Sequence, residues 1–383
     1  MNPKIPTLLC VAAVLAGAPA ASAQVASTEY DGAAALGLAL RRLGPTQRVL
    51  MIAAHPDDEN TSVLSTLALG HGADVAYLAL TRGDGGQNAI GPELQEAIGL
   101  IRSEELLAAR RLDGARQFFT RAYDYGFSKS AAEAFQHWPK DSVLADVVAV
   151  IRRFRPDIVV SVFTGTPRDG HGQHQAAGIL AREAFTAAGD PSRFPAQIAH
   201  GLRPHRPAKL YQSLWRGTPA GAVPLETGTY DPLLGRSYHQ IAMASRSRHR
   251  SQQMGRTYPP GPQQVALNRV DVEAPGEASI FAGVDTTLSA RARSLGAAPD
   301  LLRTLEAYDA AVARARGGFN PLEPGAIVPD LAEALELVDR AAAALAGRDG
   351  DAATELRFHV EAERADVRAA LALAAGVVVG AVA

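Results

Sequence analysis

A first group of side chains able to do chemistry lies in the segment Ala53–Glu59, which reads AAHPDDE. The imidazole of His55 and the carboxylates of Asp57 and Asp58 are costly to leave unpaired in a crevice, and a hard or borderline cation satisfies them together. His55 and Asp58 are able to reach one metal ion across the stiff turn at Pro56, while Asp57 projects differently and stays free to act as a base. The segment therefore predicts a metal site with an adjacent general base.

A second group, Asp169–His174, contains two histidines three residues apart, His171 and His174. At the mouth of a helix, one of these imidazoles is able to bind the metal while the other lies beside it. With His55 and Asp58 this gives three protein ligands and an open position for water, the arrangement of a catalytic zinc site rather than a structural one. Zinc bound in this way lowers the pKa of water to roughly 7 and supplies hydroxide at neutral pH.

Both groups directly follow segments that are predicted to be buried strands. Val49–Ala54 and Asp157–Phe163 are short apolar runs, and the surrounding sequence alternates such runs with segments of helical period. This alternation predicts an α/β fold of the Rossmann-like type, a mostly parallel sheet with helices on both faces. In such sheets ligands bind in the crevice outside the carboxyl ends of the strands, so we expect the two groups to meet at one edge.

Five motifs in a fixed order carry a resemblance to a known family. They are AHPDDE, TRGDGGQN at 81–88, the helix with Arg102, Glu105 and Leu112, the pair His171-x-x-His174, and HRSQ at 249–252. Together they resemble the PIG-L/LmbE-like family of zinc-dependent N-acetylglucosaminyl deacetylases, over roughly residues 49–252. The resemblance implies an LmbE-like fold and the removal of acetyl groups from N-acetylglucosamine conjugates, which in this family include glycolipid precursors and thiol-sugar intermediates.

The resemblance also implies a metal-ligand set and a base. His55, Asp58 and His174 would hold a Zn²⁺ cofactor, and Asp57 would be the general base on the zinc-bound water and the later proton donor to the leaving amine. The alternative is that the acids only cap the first turn of a helix, where Asp and Glu are favourable. Capping explains one acid but not the preceding His-Pro pair.

His171 is implied as the electrophile, stabilising the oxyanion beside the metal. Some family members carry an aromatic hydroxyl two residues before this histidine, where this chain has Asp169. An acid supports an oxyanion only when it is protonated, so this departure bears on the oxyanion step. The alternative for the whole segment is a polar surface loop.

Three further residues receive roles from the same motifs. Arg102 is expected to clamp a substrate hydroxyl or phosphate, although an arginine in a helix is by default a salt-bridge partner for Glu105 three residues later. Asp124 is expected to bind sugar hydroxyls. His249 is expected to be a second-layer partner that orients a ligand or the base, with a buried structural histidine as the alternative.

The composition limits the remaining possibilities. The 38 Lys and Arg and 40 Asp and Glu give a formal net charge of −2, which does not suggest binding to nucleic acid. At 47% hydrophobic and 20% charged, the chain is able to bury a sizeable core. The single cysteine, Cys10, excludes an intramolecular disulfide and a cysteine-based zinc or iron–sulfur site. Any metal must therefore be held by His, Asp and Glu.

Residues 1–23 are predicted to be a signal peptide. Lys4 precedes the apolar run Leu8–Gly17, and the triplet Ala-Ser-Ala at 21–23 places small residues where a signal peptidase reads them. The apolar run is too short for a membrane-spanning helix, so no integral span is expected. We expect export to the periplasm or the medium of a bacterium, with an uncleaved anchor as the alternative.

Two regions are expected after the signal peptide. Residues 24–256 would form the LmbE-like deacetylase domain, in which Arg203–Leu214 is a loop plus an edge strand, and 257–383 a mainly helical accessory region. The proline-rich stretch Thr257–Gln264 marks the boundary. The apolar run Ala369–Ala383 would either pack on the accessory helices or continue into a further domain, and the second reading is favoured.

The sequence thus supports two classes of function. The favoured one is an exported zinc-dependent hydrolase whose partner is an N-acetylated amino-sugar conjugate, a glycan or a glycolipid. The other is a noncatalytic carbohydrate-binding or assembly module that retains the fold. Loss of Asp57 would have favoured the second, and Asp57 is present.

Overall fold

A mixed sheet of seven strands forms the centre of the protein. The computed structural model describes residues 30–214, 219–255, 260–272 and 276–377. The sheet strands are β1 (Arg48–Ala53), β2 (Asp74–Ala79), β3 (Arg116–Phe119), β4 (Ile158–Ser161), β5 (Lys209–Leu214), β6 (Val223–Glu226) and β9 (Gln264–Arg269). Strands β7 (Tyr230–Asp231) and β8 (Arg236–Ser237) form a separate hairpin.

The strand order is β3-β2-β1-β4-β5-β9-β6. The first five strands are parallel, while β9 runs antiparallel to both β5 and β6. Every residue of β1, β2 and β4 is buried, as expected for strands covered on both faces. The predicted mostly parallel Rossmann-like sheet is confirmed, because 3-2-1-4-5 is the strand order of doubly wound dinucleotide-type folds.

Helices pack around this sheet in two groups. The first group is α2 (Thr61–Ser65), α3 (Glu96–Asp113) and α8 (Tyr238–Arg246), and the second is α4 (Ala131–His137), α5 (Lys140–Phe154) and α6 (Gly172–Ala187). A short helix α7 (Pro195–Ala199) follows the second group, and a π-helical turn at Thr66–Gly70 continues α2. Helix α5 ends at Arg155, which has a left-handed backbone and precedes Pro156, a residue that disfavours helix before it.

The accessory region is a helical bundle with its own apolar core. Its helices are α1 (Gly32–Arg42), α9 (Leu288–Ser294), α10 (Pro299–Gly317), α11 (Val328–Leu345) and α12 (Asp351–Ala374). Leu36 and Leu40 of α1 are buried in the same core as Leu305 and Leu331. The helical region therefore draws on the start of the chain as well as on its C-terminal part, which the sequence pattern did not predict.

Two expectations about the middle of the chain were wrong. Strand β5 is not an edge strand, because it lies between β4 and β9. The boundary expected after residue 256 falls before β9, whose residues 264–269 pair with both β5 and β6. The sheet thus continues past the proline-rich stretch, of which residues 257–259 lie outside the described residues, and the helices begin only at Leu288.

The two parts of the chain are joined by an ion pair between Asp157 and Arg291. Asp157, at the start of β4, accepts a hydrogen bond from the backbone of Arg48 and one of 2.7 Å from Arg291 of α9.

Ala370 and Ala374 of α12 are buried in the accessory core, so the described start of the apolar C-terminal run packs on the other helices. Residues 1–29, with the predicted signal peptide, and 378–383 lie outside the described residues. Among the residues that the structure describes, no helix combines the length and apolar character needed to cross a bilayer.

A buried acid in the bundle predicts a pH-dependent stability. Glu363 of α12 accepts hydrogen bonds from the Gly44 amide and from the hydroxyl of Tyr308, and burial raises its pKa to about 8, helped by Asp366. A folded pKa above the unfolded value of about 4.3 gives stability that is fully present below pH 4 and is lost as the pH rises to 8.

We therefore expect Glu363→Gln to flatten the pH dependence of the free energy of unfolding between pH 5 and 8. Chemical denaturation of both proteins measures this, and the wild type should lose up to about 1.4 kcal/mol per pH unit relative to the variant. Glu361→Gln, at an exposed position of the same helix, is the control. Parallel curves for the wild type and Glu363→Gln would contradict this assignment.

Candidate metal centre and general base

Three side chains of the types that bind metal ions converge beyond the carboxyl ends of β1 and β4. His55 Nδ1 lies 3.2 Å from Asp58 Oδ2, and His174 Nε2 lies 3.2 Å from His55 Nδ1 and 3.4 Å from Asp58 Oδ1. A cation with tetrahedral ligands at about 2.0–2.2 Å separates its ligand atoms by roughly 3.3–3.6 Å. The spacing of this metal-ligand cluster therefore matches one shared ion, and the cluster contains the three residues that the sequence predicted.

Hydrogen bonds fix which nitrogen of each histidine faces the cluster. His55 Nε2 lies 2.8 Å from the carboxamide oxygen of Gln173, so it carries the proton and leaves the lone pair on Nδ1. His174 Nδ1 lies 3.3 Å from the carbonyl of Asp169, which leaves the lone pair on Nε2. Two imidazole lone pairs at 3.2 Å beside a carboxylate repel one another unless a cation or a proton lies between them. The donor set thus fits a divalent metal ion.

The pKa values of the cluster residues also reflect the close approach of the histidines to Asp58. Burial lowers the pKa of His55, but the Asp58 carboxylate raises it to about 9. Burial raises the pKa of Asp58, but His174 and His55 hold it well below its usual range. The carboxylate thus favours a positive charge between the ligands, which a metal ion would supply.

Asp57 lies next to the cluster in an unusual backbone conformation. Its φ of 96° is in the left-handed region, which costs a residue with a side chain about 1–3 kcal/mol. The carboxylate accepts a hydrogen bond of 3.2 Å from Arg102. Burial raises the pKa of Asp57 to about 6, against the opposing effect of Arg102. A carboxylate with a pKa close to neutral is suited to accept a proton and return it.

The two side chains expected to bind substrate contact protein groups instead. Arg102 is 3% exposed, and it also donates to the carbonyls of Pro56 and Gly83. Asp124 is 7% exposed and accepts a hydrogen bond of 3.0 Å from the amide of Gln173. That bond turns the carboxamide oxygen of Gln173 toward His55, so these contacts orient Asp57 and His55. Direct binding of substrate by either residue stays a prediction.

His171 lies at the N-terminal end of α6, beside the metal-ligand cluster. Its ring stacks on that of His55 with 5.2 Å between centroids. Its Nδ1 accepts a hydrogen bond of 3.3 Å from the backbone N–H of Gln173. The proton of the neutral ring is therefore on Nε2. Burial, together with His55 and His174, lowers the pKa of His171 to about 4, so the ring is a neutral hydrogen-bond donor at pH 7.

Asp169 has a structural role in the loop before His171. Its carboxylate accepts hydrogen bonds from the amides of Thr164, Gly165 and Thr166 and closes a capping box on a short 3₁₀ helix at 167–169. These bonds hold the acid in the loop, while its carbonyl orients His174.

His249 reaches the base through a buried acid that the sequence analysis did not single out. Its Nε2 lies 2.7 Å from Glu59 Oε1, and both side chains are fully buried. Glu59 Oε1 also accepts a bond of 3.1 Å from Arg110, and Glu59 Oε2 accepts one of 2.9 Å from the amide of Asp57. Burial raises the pKa of Glu59, but His249 and Arg110 lower it to about 2, so the acid stays ionised.

A cavity of about 670 Å³ lies beside this loop, between the carboxyl end of β5 and α8. Its lining is mixed and includes Asn60, Met243, Arg246, Met254 and Gln264. Arg246 donates to the carbonyls of residues 57 and 59, so the cavity shares a wall with the loop that carries the base. A volume of this size is typical of a small-molecule site.

The sequence of this chain is similar to proteins of known families. Residues 50–185 match the model of the PIG-L family, described as GlcNAc-PI de-N-acetylase. The chain is 34% identical over 200 residues to a 1D-myo-inositol 2-acetamido-2-deoxy-alpha-D-glucopyranoside deacetylase of Rhodococcus jostii, covering 48% of this chain and 64% of the relative. It is 32% identical over 161 residues to the diacetylchitobiose deacetylase of Thermococcus kodakarensis, covering 42% and 57%.

The chain therefore spans less than two thirds of the length of these curated relatives. Among solved structures, the N,N'-diacetylchitobiose deacetylase of Pyrococcus horikoshii in complex with its inhibitor MPG is similar, with a TM-score of 0.43 and 20% identity. That match covers 56% of this chain and 71% of the other. The resemblance seen in the sequence motifs is confirmed by the family match.

Proposed function

We propose that this chain, whose residues 50–185 match the PIG-L family, is a zinc-dependent hydrolase that removes the acetyl group from an N-acetylglucosamine-type conjugate. The observation that carries the proposal is the convergence of two imidazole lone pairs and a carboxylate beside Asp57, a buried acid with a pKa of about 6. Two nitrogen ligands and one oxygen ligand suit zinc better than the harder magnesium or calcium ions.

The chemistry divides between the metal and the side chains around it. Zinc, when bound by His55, Asp58 and His174, lowers the pKa of a water ligand to roughly 7 and polarises the amide carbonyl. Asp57 takes the proton of the attacking water on its carboxylate and later delivers it to the nitrogen of the leaving amine. The neutral His171 donates from Nε2 to the oxyanion that develops on the carbonyl oxygen.

The substrate is proposed to be a glycan or glycolipid that carries an N-acetylated amino sugar. The names of the relatives, an acetamido-deoxyglucopyranoside deacetylase and a diacetylchitobiose deacetylase, support this class. Export through the signal peptide at residues 1–23 is part of the proposal and rests on the sequence alone.

The test is release of acetate from a panel of substrates. The purified, zinc-loaded protein is incubated with N-acetylglucosamine, chitooligosaccharides, cell-wall fragments and N-acetylglucosaminyl glycolipids, and acetate and free amine are measured separately. We expect equal amounts of both products from at least one conjugate. Binding of these sugars without any acetate release, by protein with a full complement of metal, would favour the noncatalytic module.

A further inference from the structure

Glu59 is a buried acid whose carboxylate contacts two buried side chains and the backbone of Asp57. Its Oε1 lies 2.7 Å from His249 Nε2 and 3.1 Å from Arg110 Nη2, and all three side chains are fully buried. These two donors hold one carboxylate oxygen. The other oxygen, Oε2, accepts the backbone N–H of Asp57 at 2.9 Å.

The bond to Asp57 acts at the one point of the loop where the backbone is under strain. Asp57 has a φ of 96°, and relaxation to a negative φ would turn its amide and its side chain away from their present directions. On the other side, Arg102 holds the carboxylate of Asp57 through a bond of 3.2 Å and is itself tied to the carbonyls of Pro56 and Gly83. Asp57 is thus held at its backbone N–H by Glu59, at its carbonyl by Arg246 and at its side chain by Arg102.

We propose that Glu59 is a positioning residue for the base: its carboxylate, fixed by Arg110 and His249, holds Asp57 in the left-handed conformation that points the Asp57 carboxylate at the reacting water. The proposal rests on the proposed function, in which Asp57 moves the proton. A small misplacement of a catalytic group lowers kcat while substrate binding is largely kept. Glu59 acts through Asp57 and needs no contact with substrate.

The competing explanation is that Glu59 only neutralises the buried charge of Arg110. The chain offers a matched control for it in Asp113, a fully buried acid that pairs with the same guanidinium at 3.1 Å. Asp113 also accepts a hydrogen bond from the hydroxyl of Ser245. Asp113→Asn and Glu59→Gln therefore remove the same type of charge from the same arginine, but only Glu59→Gln changes a partner of Asp57.

The experiment compares Glu59→Met, Glu59→Gln and Asp113→Asn in the zinc-loaded full chain. Hydrogen exchange of the Asp57 amide is followed by NMR, and kcat and KM for acetate release and the metal content are measured on the same samples. We expect Glu59→Met to speed exchange of the Asp57 amide at least tenfold and to lower kcat by about 10²-fold, with KM and metal content within twofold of the wild type.

Glu59→Gln keeps an oxygen for the Asp57 amide and should recover part of both losses, while Asp113→Asn should leave both within twofold. Unchanged exchange of the Asp57 amide in both Glu59 variants would overturn the proposal, as would equal losses in Asp113→Asn. If Glu59→Met does not fold, Glu59→Gln against Asp113→Asn decides the matter. If the wild type releases no acetate, the proposed function fails, and amide exchange still tests the positioning.

Discussion

Asp57→Asn is expected to lower kcat for acetate release by about 10²–10⁴-fold, with little change in KM and with the metal still bound. The amide of Asn cannot accept the proton of the attacking water, so the largest contribution of this side chain is lost. The change is conservative for the structure, because Asn tolerates a positive φ better than most residues and Asp57 adopts 96°. Arg102 also keeps its bonds to the carbonyls of Pro56 and Gly83.

The control for this variant is Asp146→Asn, the same chemical change on α5, where the acid pairs with the exposed Arg121. It should leave kcat unchanged. Both proteins are assayed at matched metal content, with acetate measured enzymatically. Activity of Asp57→Asn within tenfold of the wild type would remove Asp57 from the proton transfer and leave the metal centre without an assigned base.

Removal of the metal is expected to abolish acetate release. The variant His174→Ala is expected to lower the rate of acetate release by about 10³-fold or more. The imidazole of His174 would supply one of the three ligand atoms, and alanine at this position offers no atom in its place. A chelator removes the ion from the wild type, and added Zn²⁺ should restore activity more fully than Mg²⁺ because two of the ligands are nitrogen.

This prediction has a readout that does not depend on turnover. An ion that binds only the folded protein raises the unfolding temperature in proportion to the logarithm of its concentration, so zinc should stabilise the wild type but not His174→Ala. His200→Ala, at an exposed histidine of the same kind, is the control and should behave as the wild type. Full activity in protein shown to be free of metal would refute the zinc mechanism.

The metal-ligand cluster was predictable from sequence because its three side chains lie in the segments that follow two apolar strands. His55 and Asp58 come after β1 and His174 comes after β4, and parallel neighbours bring such positions to one edge. The ligand spacing then follows from local geometry, since His174 lies in the first turn of α6.

The residues around the cluster were harder to find. Gln173 stands between the two histidines of its motif, but a carboxamide is neither a metal ligand nor a base, and its role depends on Asp124, 49 residues away. Glu59 reads in the sequence as a helix-capping acid, and only the long-range partners Arg110 and His249 show what it holds. Contacts of this kind join elements distant in the chain, so local patterns carry no trace of them.

The helical bundle shows the same limit at the scale of the fold. The mainly helical region expected near the end of the chain is present as α9–α12, but nothing in the segment Gly32–Arg42 indicates that its partners lie more than 240 residues away. The strand β9 was assigned to the helical region because prolines precede it, although prolines before a strand also suit a long connection that returns to the sheet.

The position of α1 in the bundle also sets the order in which the protein can fold during synthesis. Leu36 and Leu40 find their apolar partners only after α9–α12 have been made, starting at Leu288. At about 5–20 residues per second, the nascent chain carries this unpaired apolar face for on the order of 10–50 s. Leu38, on another side of α1, packs earlier against Leu69 and Tyr238. Helix α1 is therefore able to contact the sheet domain before its partners in the helical bundle exist.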